Sequence, residues 1–522
     1  MELPVLTVGT CEGGWYTFPI GKHLASVRIR YIATLVLLFA VGLVNCYRAA
    51  TQSITVDEAY AYQQHVDQPV LSALTTFDAG HHILHTFGCI LFVRIFGAGV
   101  VPLRLTSLIF GFVYLWVVWR LAVTLFPSSW LILVAAMLLS LNPYVFDFMS
   151  AARGYGMALA LFAWAVLWLF RFANEISADG SATPQTLRWL AVLTTLAVGA
   201  NLTFAFPAVV FLAVVAVVVY RRSGSVRSIL VNMAAPAAIA FCLFAAPLAA
   251  AKREDFYFGL PSWQDSLNSL YTASFDQDWP LIGFQPLLQE EVRLYLPYLL
   301  IFLGVAAILA VGLRIGTTEP DQQSPHHLVL DISAVTLAGS ILLVVSGHLF
   351  AGAVYPYPRT CLYAIFLSTL VILLAAKQLV RARQPWLGLG YAATAIMVLI
   401  AGVYALEFRT QWYGDWKFDA GTGSLMRSLS ALPRRSSATP VRLGTSWAMQ
   451  STAEFYRTIY HLDWLAPVTR DQPSCDDDYA LVQLLDRGID DALGFEVLRQ
   501  DPVSGAILAK RTARSCATKP AK

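Results

Sequence analysis

Long apolar runs, each about as long as a helix that crosses a bilayer, recur along most of this sequence. A crossing takes about 20 mostly apolar helical residues, because lipid offers the backbone no hydrogen-bond partners. Only 13% of the 522 residues are charged, against about 25% in an average soluble domain. Eleven predicted crossings lie at 31–49, 102–125, 130–149, 154–173, 188–205, 207–220, 228–250, 295–314, 328–350, 360–377 and 386–406. The sequence therefore predicts a polytopic α-helical membrane protein.

The distribution of lysine and arginine predicts how these crossings are oriented. A further apolar segment, 82–97, is short and contains two histidines and Arg94, so we predict that it lies at the membrane interface. If that segment is not counted as a crossing, thirteen lysines and arginines lie on the side of the membrane that holds the N-terminus, and eight lie on the other side. Because cytoplasmic loops carry the excess of positive charge, residues 1–29 are predicted to be cytoplasmic. The expected location is the cell (inner) membrane.

The crossings separate a transmembrane domain from a polar tail. The transmembrane domain is predicted to cover 30–406, with two long outer loops at 50–101 and 251–294. The tail, 407–522, is predicted to be extracytoplasmic and polar enough to fold in water. A helical pattern in "AMQSTAEFYRTIYHL", a strand pattern in "YALVQLL" and a hairpin pattern from "FEVLRQ" to "AILAKR" predict a small α+β domain there.

Cysteine usage and net charge narrow the possible partners. Cys475 and Cys516 lie in the tail, where a disulfide and two free thiols are equally compatible with the sequence. A net charge of +3 without a basic run gives no reason to expect a nucleic-acid partner. The expected partners are membrane lipids and the substrates of a site at the membrane surface.

Two adjacent carboxylates, Asp57 and Glu58, follow the first apolar run in the stretch "SITVDEAYAYQQH". Successive residues of a helix point about 100° apart, so the two acids are expected to have different roles. One is predicted to face a cavity while the other binds a metal or the backbone. The alternative is that both are solvated acids favoured by the dipole of a first helical turn.

Cationic and aromatic side chains occur at the ends of several later runs. The stretch "DAGHHILH" contains His81 and His82, "SAARGYG" contains Arg153 and Tyr155, and "YPYPRTCLY" contains Arg359. An arginine at membrane depth normally faces a cavity or a partner, although an arginine that extends to the interface is the simpler alternative.

These residue types together favour transfer of a group from a lipid phosphate. The departing phosphate needs cationic side chains or a metal to hold its charge, and the attacking hydroxyl needs a carboxylate that accepts its proton. Asp147, six residues before Arg153, is a candidate ion-pair partner for that arginine.

The order of these motifs resembles the GT-C membrane glycosyltransferases. The acidic pair is followed by "GHHILHTFGCILFVRIFGAGVVPLRLTSLIFGFVYLWVVWRLAVTLF" and then by "NPYVFDFMSAARGYGMALALFAWAVLWLFR". Over about residues 30–175 the chain resembles the bacterial family 39 group, which is related to protein O-mannosyltransferases and lipid A aminoarabinose transferases. A weaker resemblance to a later arginine motif of the family covers "YPYPRTCLYAIFLSTLVILL".

The resemblance implies specific roles at the matching positions. Asp57 is the implied catalytic base, with Glu58 supporting it. His81 matches the histidine of a His-Pro-Pro motif, in which His82 replaces a proline. Arg153 and Tyr155 match the arginine-tyrosine motif. The acid that often stands two residues before that arginine is Ala151 here, and this departure leaves metal use and the donor site open.

The leading hypothesis is an inverting membrane glycosyltransferase of GT-C fold with a polyprenyl-phosphate sugar as donor. Asp57 would deprotonate an acceptor protein, lipid or glycan, Arg153 and Arg359 would bind the donor phosphate, and Glu58 and His81 are the candidate ligands of a divalent metal ion. The alternatives are a secondary transporter and a non-catalytic scaffold of GT-C shape.

Overall fold

Helices account for most of the computed structural model, which describes residues 20–256, 258–275, 286–315, 325–382, 386–432 and 440–512. Eight helices in these ranges are long and apolar enough to cross a membrane. They are Val27–Thr51, Val100–Leu125, Gly154–Asp179, Leu202–Ser223, Gln289–Gly312, Pro325–Ala351, Pro358–Arg381 and Trp386–Leu406. Each coincides with one of the predicted crossings, so the polytopic helical fold is confirmed.

The other three predicted crossings are helical but shorter or interrupted. The run 130–149 divides into Leu131–Ser140 and Pro143–Phe148, because Asn142 caps the second helix and accepts hydrogen bonds from two backbone N–H groups, both at 3.1 Å. The run 188–205 is represented by Pro184–Ala200, a helix of 17 residues whose C-cap is Asn201.

The run 228–250 is the most irregular of the predicted crossings. It forms Val226–Ile229, a π-helical turn at Leu230–Ala234, Ala235–Cys242 and, after a break at Phe244, the short helix Ala245–Ala249. The segment predicted to lie at the interface forms Ile83–Phe96, a helix of 14 residues. At 1.5 Å per residue, this helix is too short to span a hydrocarbon core of about 30 Å.

Short helices fill the segments between the long ones and the start of the tail. In the first loop they are Val56–Ala61, continued by a π-helical turn at Tyr62–Val66, and Val70–Thr75. Trp263–Phe275 lies in the second predicted loop. In the tail the 3-10 segment Gly414–Asp419 precedes Thr422–Ser430, Gln450–Ile459 and Ile489–Ala492.

A four-stranded sheet lies in the tail. Its strands are β1 (Leu443–Thr445), β2 (Tyr479–Val482), β3 (Phe495–Gln500) and β4 (Ile507–Arg511), in the order β1-β2-β4-β3. β1 pairs parallel to β2, and the other pairings are antiparallel. The predicted hairpin is therefore confirmed, whereas β1 is too short to leave a periodic pattern. Cys475 is disulfide-bonded, and Cys516 lies outside the described residues.

The tail shares a hydrophobic core with the first loop. Ile54, Ala59 and Tyr62 of that loop are buried in one cluster with Phe455 and Tyr456 of the tail. The ring of Tyr62 meets the ring of Phe455 edge-on at 5.0 Å, and the Ile54 N–H donates to the hydroxyl of Tyr456 at 2.9 Å. The helix Val56–Ala61 is consequently held between the tail and the membrane helices.

Candidate active site

A capping box begins the short helix that carries both acidic residues. Thr55 is the N-cap, and its hydroxyl accepts from the Glu58 N–H at 3.2 Å while Glu58 Oε2 accepts from the Thr55 N–H at 2.8 Å. Threonine followed three positions later by glutamate is the sequence pattern that forms this motif. The box directs the Glu58 side chain back towards the helix start, so Asp57, one position earlier, faces a different side.

Glu58 is fully buried and bound on both carboxylate oxygens. Arg104 donates to it through Nε at 2.8 Å and through Nη2 at 2.7 Å, and the Ala152 N–H donates as well. Burial alone would raise the pKa of Glu58, but Arg104 and the backbone donors outweigh that effect and lower the pKa. Glu58 therefore stays ionised and joins the first loop to the segment that precedes Arg153.

The predicted metal ligands do not fit a divalent cation. Both oxygens of Glu58 already accept hydrogen bonds. His81 instead stacks on His65, with ring centroids 4.2 Å apart and an interplanar angle of 13°, so their nitrogen lone pairs lie in nearly parallel planes and do not converge. The described residues contain no group of three His, Cys, Asp or Glu side chains arranged to hold a metal ion.

His81 belongs to a small polar cluster of the first loop. Its Nδ1 lies 3.1 Å from the carbonyl oxygen of Thr76, and its neighbour His65 contacts Asp78 at 2.9 Å. Burial is the main reason why the pKa of His81 falls to about 4, so the ring is neutral at ordinary pH.

Asp57 faces a different side from Glu58 and contacts two arginines that are distant in the sequence. Its Oδ2 lies 2.5 Å from Nη1 of Arg359, and its side chain retains 25% of its exposure. Nη1 of Arg153 donates to the backbone carbonyl of Asp57 at 3.1 Å. The structure thus brings together Asp57, Arg153 and Arg359, which are separated by up to about 300 positions in the sequence.

Aromatic rings surround the guanidinium of Arg359, which lies in the 3-10 turn Pro358–Cys361. The rings of Phe258, Tyr357 and Trp416 have centroids 4.4, 5.4 and 6.0 Å from its central carbon. A guanidinium is attracted to aromatic faces, so these rings restrict its position without consuming its N–H donors.

Several buried donors on the two arginines, and on His82 that interacts electrostatically with both, have no partner within the described residues. Nε of Arg153, Nε of Arg359 and Nε2 of His82 are buried without a hydrogen bond. Buried polar atoms in folded proteins are normally satisfied, so a group of unsatisfied donors indicates a place for an acceptor group.

The hydrogen bonds of Asn201 establish that Nε2 of His82 is a donor. Oδ1 of Asn201 accepts from the N–H and the hydroxyl of Thr203 at 3.0 and 2.7 Å, which leaves the amide nitrogen to donate to Nδ1 of His82 at 3.2 Å. Burial, and then the charge of Arg153, lower the pKa of His82 well below its usual value. The neutral ring therefore carries its single proton on Nε2.

Tyr155 and Gly154 hold this histidine in place. The ring of Tyr155 contacts the rings of His82 and Phe148, each with a centroid distance of 4.8 Å. A Cβ at position 154 would lie 2.1 Å from the carbonyl oxygen of Ala200 and 2.6 Å from Cβ of His82. The glycine after Arg153 is therefore required by close packing.

The prediction that Asp147 pairs with Arg153 is wrong. Asp147 is buried and binds Arg48 at 2.5 Å, Arg409 at 2.8 Å and the N–H of Gly414 at 2.7 Å. With its oxygens engaged in this way, Asp147 does not replace the acid missing at Ala151. It instead ties the segment after the last long helix to the helix Pro143–Phe148.

That attachment brings Asp415 of the tail next to Tyr144, and the sequence analysis predicted a role for neither residue. Oδ2 of Asp415 accepts a hydrogen bond from the hydroxyl of Tyr144 at 2.5 Å. Burial raises the pKa of Asp415 to about 6, and this carboxyl interacts electrostatically with both Arg359 and Asp57. Nothing in the stretch "WYGDWKFDAG" distinguishes Asp415 from the other acids of the tail.

An apolar cavity of about 250 Å³ lies along the α-helical part, Leu362–Arg381, that follows the 3-10 turn of Arg359. Ala364, Ser368 and Ile372 line it from this helix, at spacings of four residues that keep them on one face. Other lining residues are Leu138, Leu270, Phe275, Leu303 and Tyr404.

Solved structures of membrane glycosyltransferases are similar to this chain. ArnT from Cupriavidus metallidurans bound to undecaprenyl phosphate is 14% identical, with 92% of this chain and 98% of that chain covered and a TM-score of 0.39. The archaeal oligosaccharyltransferase AglB from Archaeoglobus fulgidus, in complex with an inhibitory peptide and a dolichol-phosphate, is 12% identical, with 93% and 75% covered and a TM-score of 0.42.

A second AglB structure, described as a complex with Zn and sulfate, has a TM-score of 0.43 at 12% identity, with 91% of this chain and 73% of that chain covered. No protein-family model and no curated protein sequence matches the chain. The TM-scores of these three structures are all below 0.5, and the similarity carries no inference about the reaction or the substrates of this chain.

Proposed function

We propose that this chain is an integral-membrane glycosyltransferase that moves a sugar from a polyprenyl-phosphate carrier to an acceptor hydroxyl or amine. The observation that carries the proposal is the meeting of Asp57 with Arg359 and Arg153, each of which keeps a buried Nε donor without a partner within the described residues, as does Nε2 of His82. These groups lie at the start of a helix whose next turns line an apolar cavity. A phosphate with a long apolar tail fits both parts of this arrangement.

The proposed reaction breaks the bond between the anomeric carbon of the sugar and the carrier phosphate oxygen. The electron pair of that bond leaves with the phosphate, which gains a negative charge. Arg359, Arg153 and Nε2 of His82 would donate to the phosphate oxygens as this charge grows. The aromatic rings around Arg359 would keep its donors directed at the phosphate.

Asp57 would accept the proton of the acceptor hydroxyl as its oxygen bonds to the anomeric carbon. Its carboxylate is partly exposed, whereas Glu58 is fully buried and occupied by Arg104. Asp57 is free to act once the donor phosphate replaces it as the partner of Arg359. Attack from the side opposite to the phosphate would invert the anomeric configuration.

The apolar cavity would hold the first isoprene units of the carrier. Replacing Ala364 by phenylalanine should fill part of the cavity and raise the KM for a long-chain polyprenyl donor about tenfold or more, because each buried CH₂ contributes about 0.8 kcal/mol. A donor with a short prenyl chain should be affected much less. Transfer assays with both donors, on the purified variant, measure this difference.

A matched control is Ala395→Phe, which adds the same ring at an exposed position on the neighbouring helix Trp386–Leu406. This variant should keep the wild-type KM for both donors. An equal loss with long and short donors in Ala364→Phe would contradict a chain-binding role for the cavity.

We also propose that the site lies on the outer face of the cell membrane, with the N-terminus in the cytoplasm and the segment 407–522 outside. The disulfide at Cys475 supports this placement, since disulfides persist in oxidising compartments. The loop 251–294 and the tail would then help to select an acceptor protein, lipid or glycan. The residues of the site give no basis for a reaction step through a metal ion.

The direct test is incubation of the purified protein with a panel of polyprenyl-phosphate sugars while loss of the lipid donor is followed. Transfer of a sugar to water or to an added acceptor, with release of polyprenyl phosphate, is the expected result. A scaffold predicts donor binding without turnover. A transporter predicts movement of an intact solute in proteoliposomes and no cleavage of any donor.

A further inference from the structure

A second carboxylate, Asp415, interacts electrostatically with both members of the Asp57–Arg359 ion pair, and the ring of its neighbour Trp416 lies 6.0 Å from the central carbon of the Arg359 guanidinium. Asp415 is supplied by the tail, and its position is determined by neighbours on both sides. The N–H of Gly414 donates to Asp147 at 2.7 Å, and the hydroxyl of Tyr144 donates to Asp415 Oδ2 at 2.5 Å. Arg359 thus interacts with two carboxylates, Asp57 through a direct ion pair and Asp415 through its charge, and of these Asp57 is the proposed base.

We propose that Asp415, held by Tyr144, is a positioning residue for Arg359 that balances its charge while the donor phosphate replaces Asp57 as its partner. The inference rests on the proposed function, because it assigns the donor phosphate to Arg359. It adds to that function a tail residue outside the segments that carry the family resemblance.

The charges around Arg359 explain why a second carboxylate is useful there. If Asp57 were the only counter-charge, the ion pair would be tight and the base would be held by the group that must bind phosphate. Asp415 shares the charge of Arg359 and so weakens its hold on Asp57. The same negative charge opposes phosphate binding, which favours release of the polyprenyl phosphate after transfer.

This arrangement predicts that phosphate binding depends on pH. The charged or titratable groups that interact with Asp415 are Tyr144, Arg359, Tyr357, Asp57 and Asp147. Asp419, at the end of the same 3-10 segment, has its pKa raised to about 7 by burial, but its carboxylate accepts from Thr422 and Thr452 instead. Asp147 is itself offset by Arg48 and Arg409. Burial raises the pKa of Asp415 to about 6, so its carboxyl becomes neutral as the pH falls through that value. The neutral form no longer repels a phosphate, and affinity should therefore rise at acidic pH.

The test measures binding of farnesyl methyl phosphate by calorimetry from about pH 5 to about pH 8. This phosphodiester keeps one negative charge throughout, so its own ionisation does not contribute. The wild-type protein should bind about tenfold more tightly at the acidic end, as expected when one ionisation changes the interaction by about one pKa unit. Asp415→Asn should bind tightly at every pH and abolish the titration.

Tyr144→Phe separates a positioning role from a merely structural one. The lost hydrogen bond stabilises the charged carboxylate, so its removal should move the midpoint of the titration to higher pH. Asp486→Asn, which changes a tail acid that accepts from Gln483, should keep the wild-type curve.

The possible outcomes distinguish the two proposals. A wild-type protein that binds the phosphodiester equally at every pH overturns the role of Asp415 and leaves the proposed donor site in place. If affinity for the phosphodiester still changes with pH in Asp415→Asn, the role of Asp415 is likewise overturned and the proposed donor site remains in place. A wild-type protein that binds no phosphodiester at any pH overturns the donor site, and the inference with it.

Discussion

Asp57→Asn is expected to lower sugar transfer by about 10²–10⁴-fold, the usual contribution of a positioned general base. Asparagine preserves the size of the side chain and an oxygen that can face Arg359, but it cannot take the proton of the acceptor. The loss should therefore appear in kcat, while the thermal unfolding midpoint stays near that of the wild-type protein. Rates of donor loss and unfolding curves in the same detergent measure both quantities.

The matched control is Asp67→Asn, in the same loop. Asp67 is exposed and only accepts a hydrogen bond from Tyr62 at 3.2 Å, so its replacement should leave transfer unchanged. Wild-type rates in Asp57→Asn would exclude this residue as the base and remove the central element of the proposed mechanism.

Glu58→Gln is expected to cost stability, by about 3–5 kcal/mol, because it leaves Arg104 buried without a counter-charge. Arg104 is fully buried and also donates to the carbonyl oxygens of Gln52 and Ser53, so it cannot move to water. The result should be a markedly lower unfolding midpoint and a smaller yield of folded protein. Tryptophan fluorescence during heating in detergent measures the midpoint.

Glu175→Gln provides the comparison for this prediction. Glu175 also pairs with an arginine, Arg171 at 2.9 Å, but that arginine is half exposed and the two residues are one helical turn apart. Arg171 can turn to water when its partner is neutral, and glutamine keeps an oxygen that can accept from the Thr183 N–H, so the loss should stay at about the 0–1 kcal/mol of an exposed pair and the midpoint should change little. If Glu58→Gln were as stable as Glu175→Gln yet inactive, Glu58 would have a chemical role and the structural interpretation would be wrong.

The positions of the helices were predictable because each depends on neighbouring residues alone. A run of apolar residues long enough to cross a bilayer is visible within its own window, and all eight long helices coincide with such runs. The capping box at Thr55 and Glu58 is equally local. The predicted run 130–149 is too long because the Asn142-Pro143 pair, which is also a local signal, ends one helix and begins another.

The partners of the buried charges were not predictable in the same way. The sequence analysis predicted no partner for Arg104, and the closeness of Asp147 to Arg153 in the sequence suggested a pair that does not form. Their actual partners, Glu58 for Arg104 and Arg48 and Arg409 for Asp147, come from separate parts of the chain. A buried charge pairs with the opposite charge that the folded chain places next to it. The separation of two residues in the sequence does not predict which pair that is.

The sequence alone determined that this chain is a helical membrane protein with an acidic pair, an Arg-Gly-Tyr motif and a later arginine at the ends of apolar runs. This was possible because a helix that crosses the bilayer needs about 20 consecutive apolar residues, a feature that can be read from a short stretch of sequence. Only the tertiary structure decided that Asp57 is partly exposed while Glu58 is fully buried, and that Asp415 of the tail interacts electrostatically with Arg359. Those outcomes depend on burial and on contacts between residues hundreds of positions apart, which no local pattern encodes.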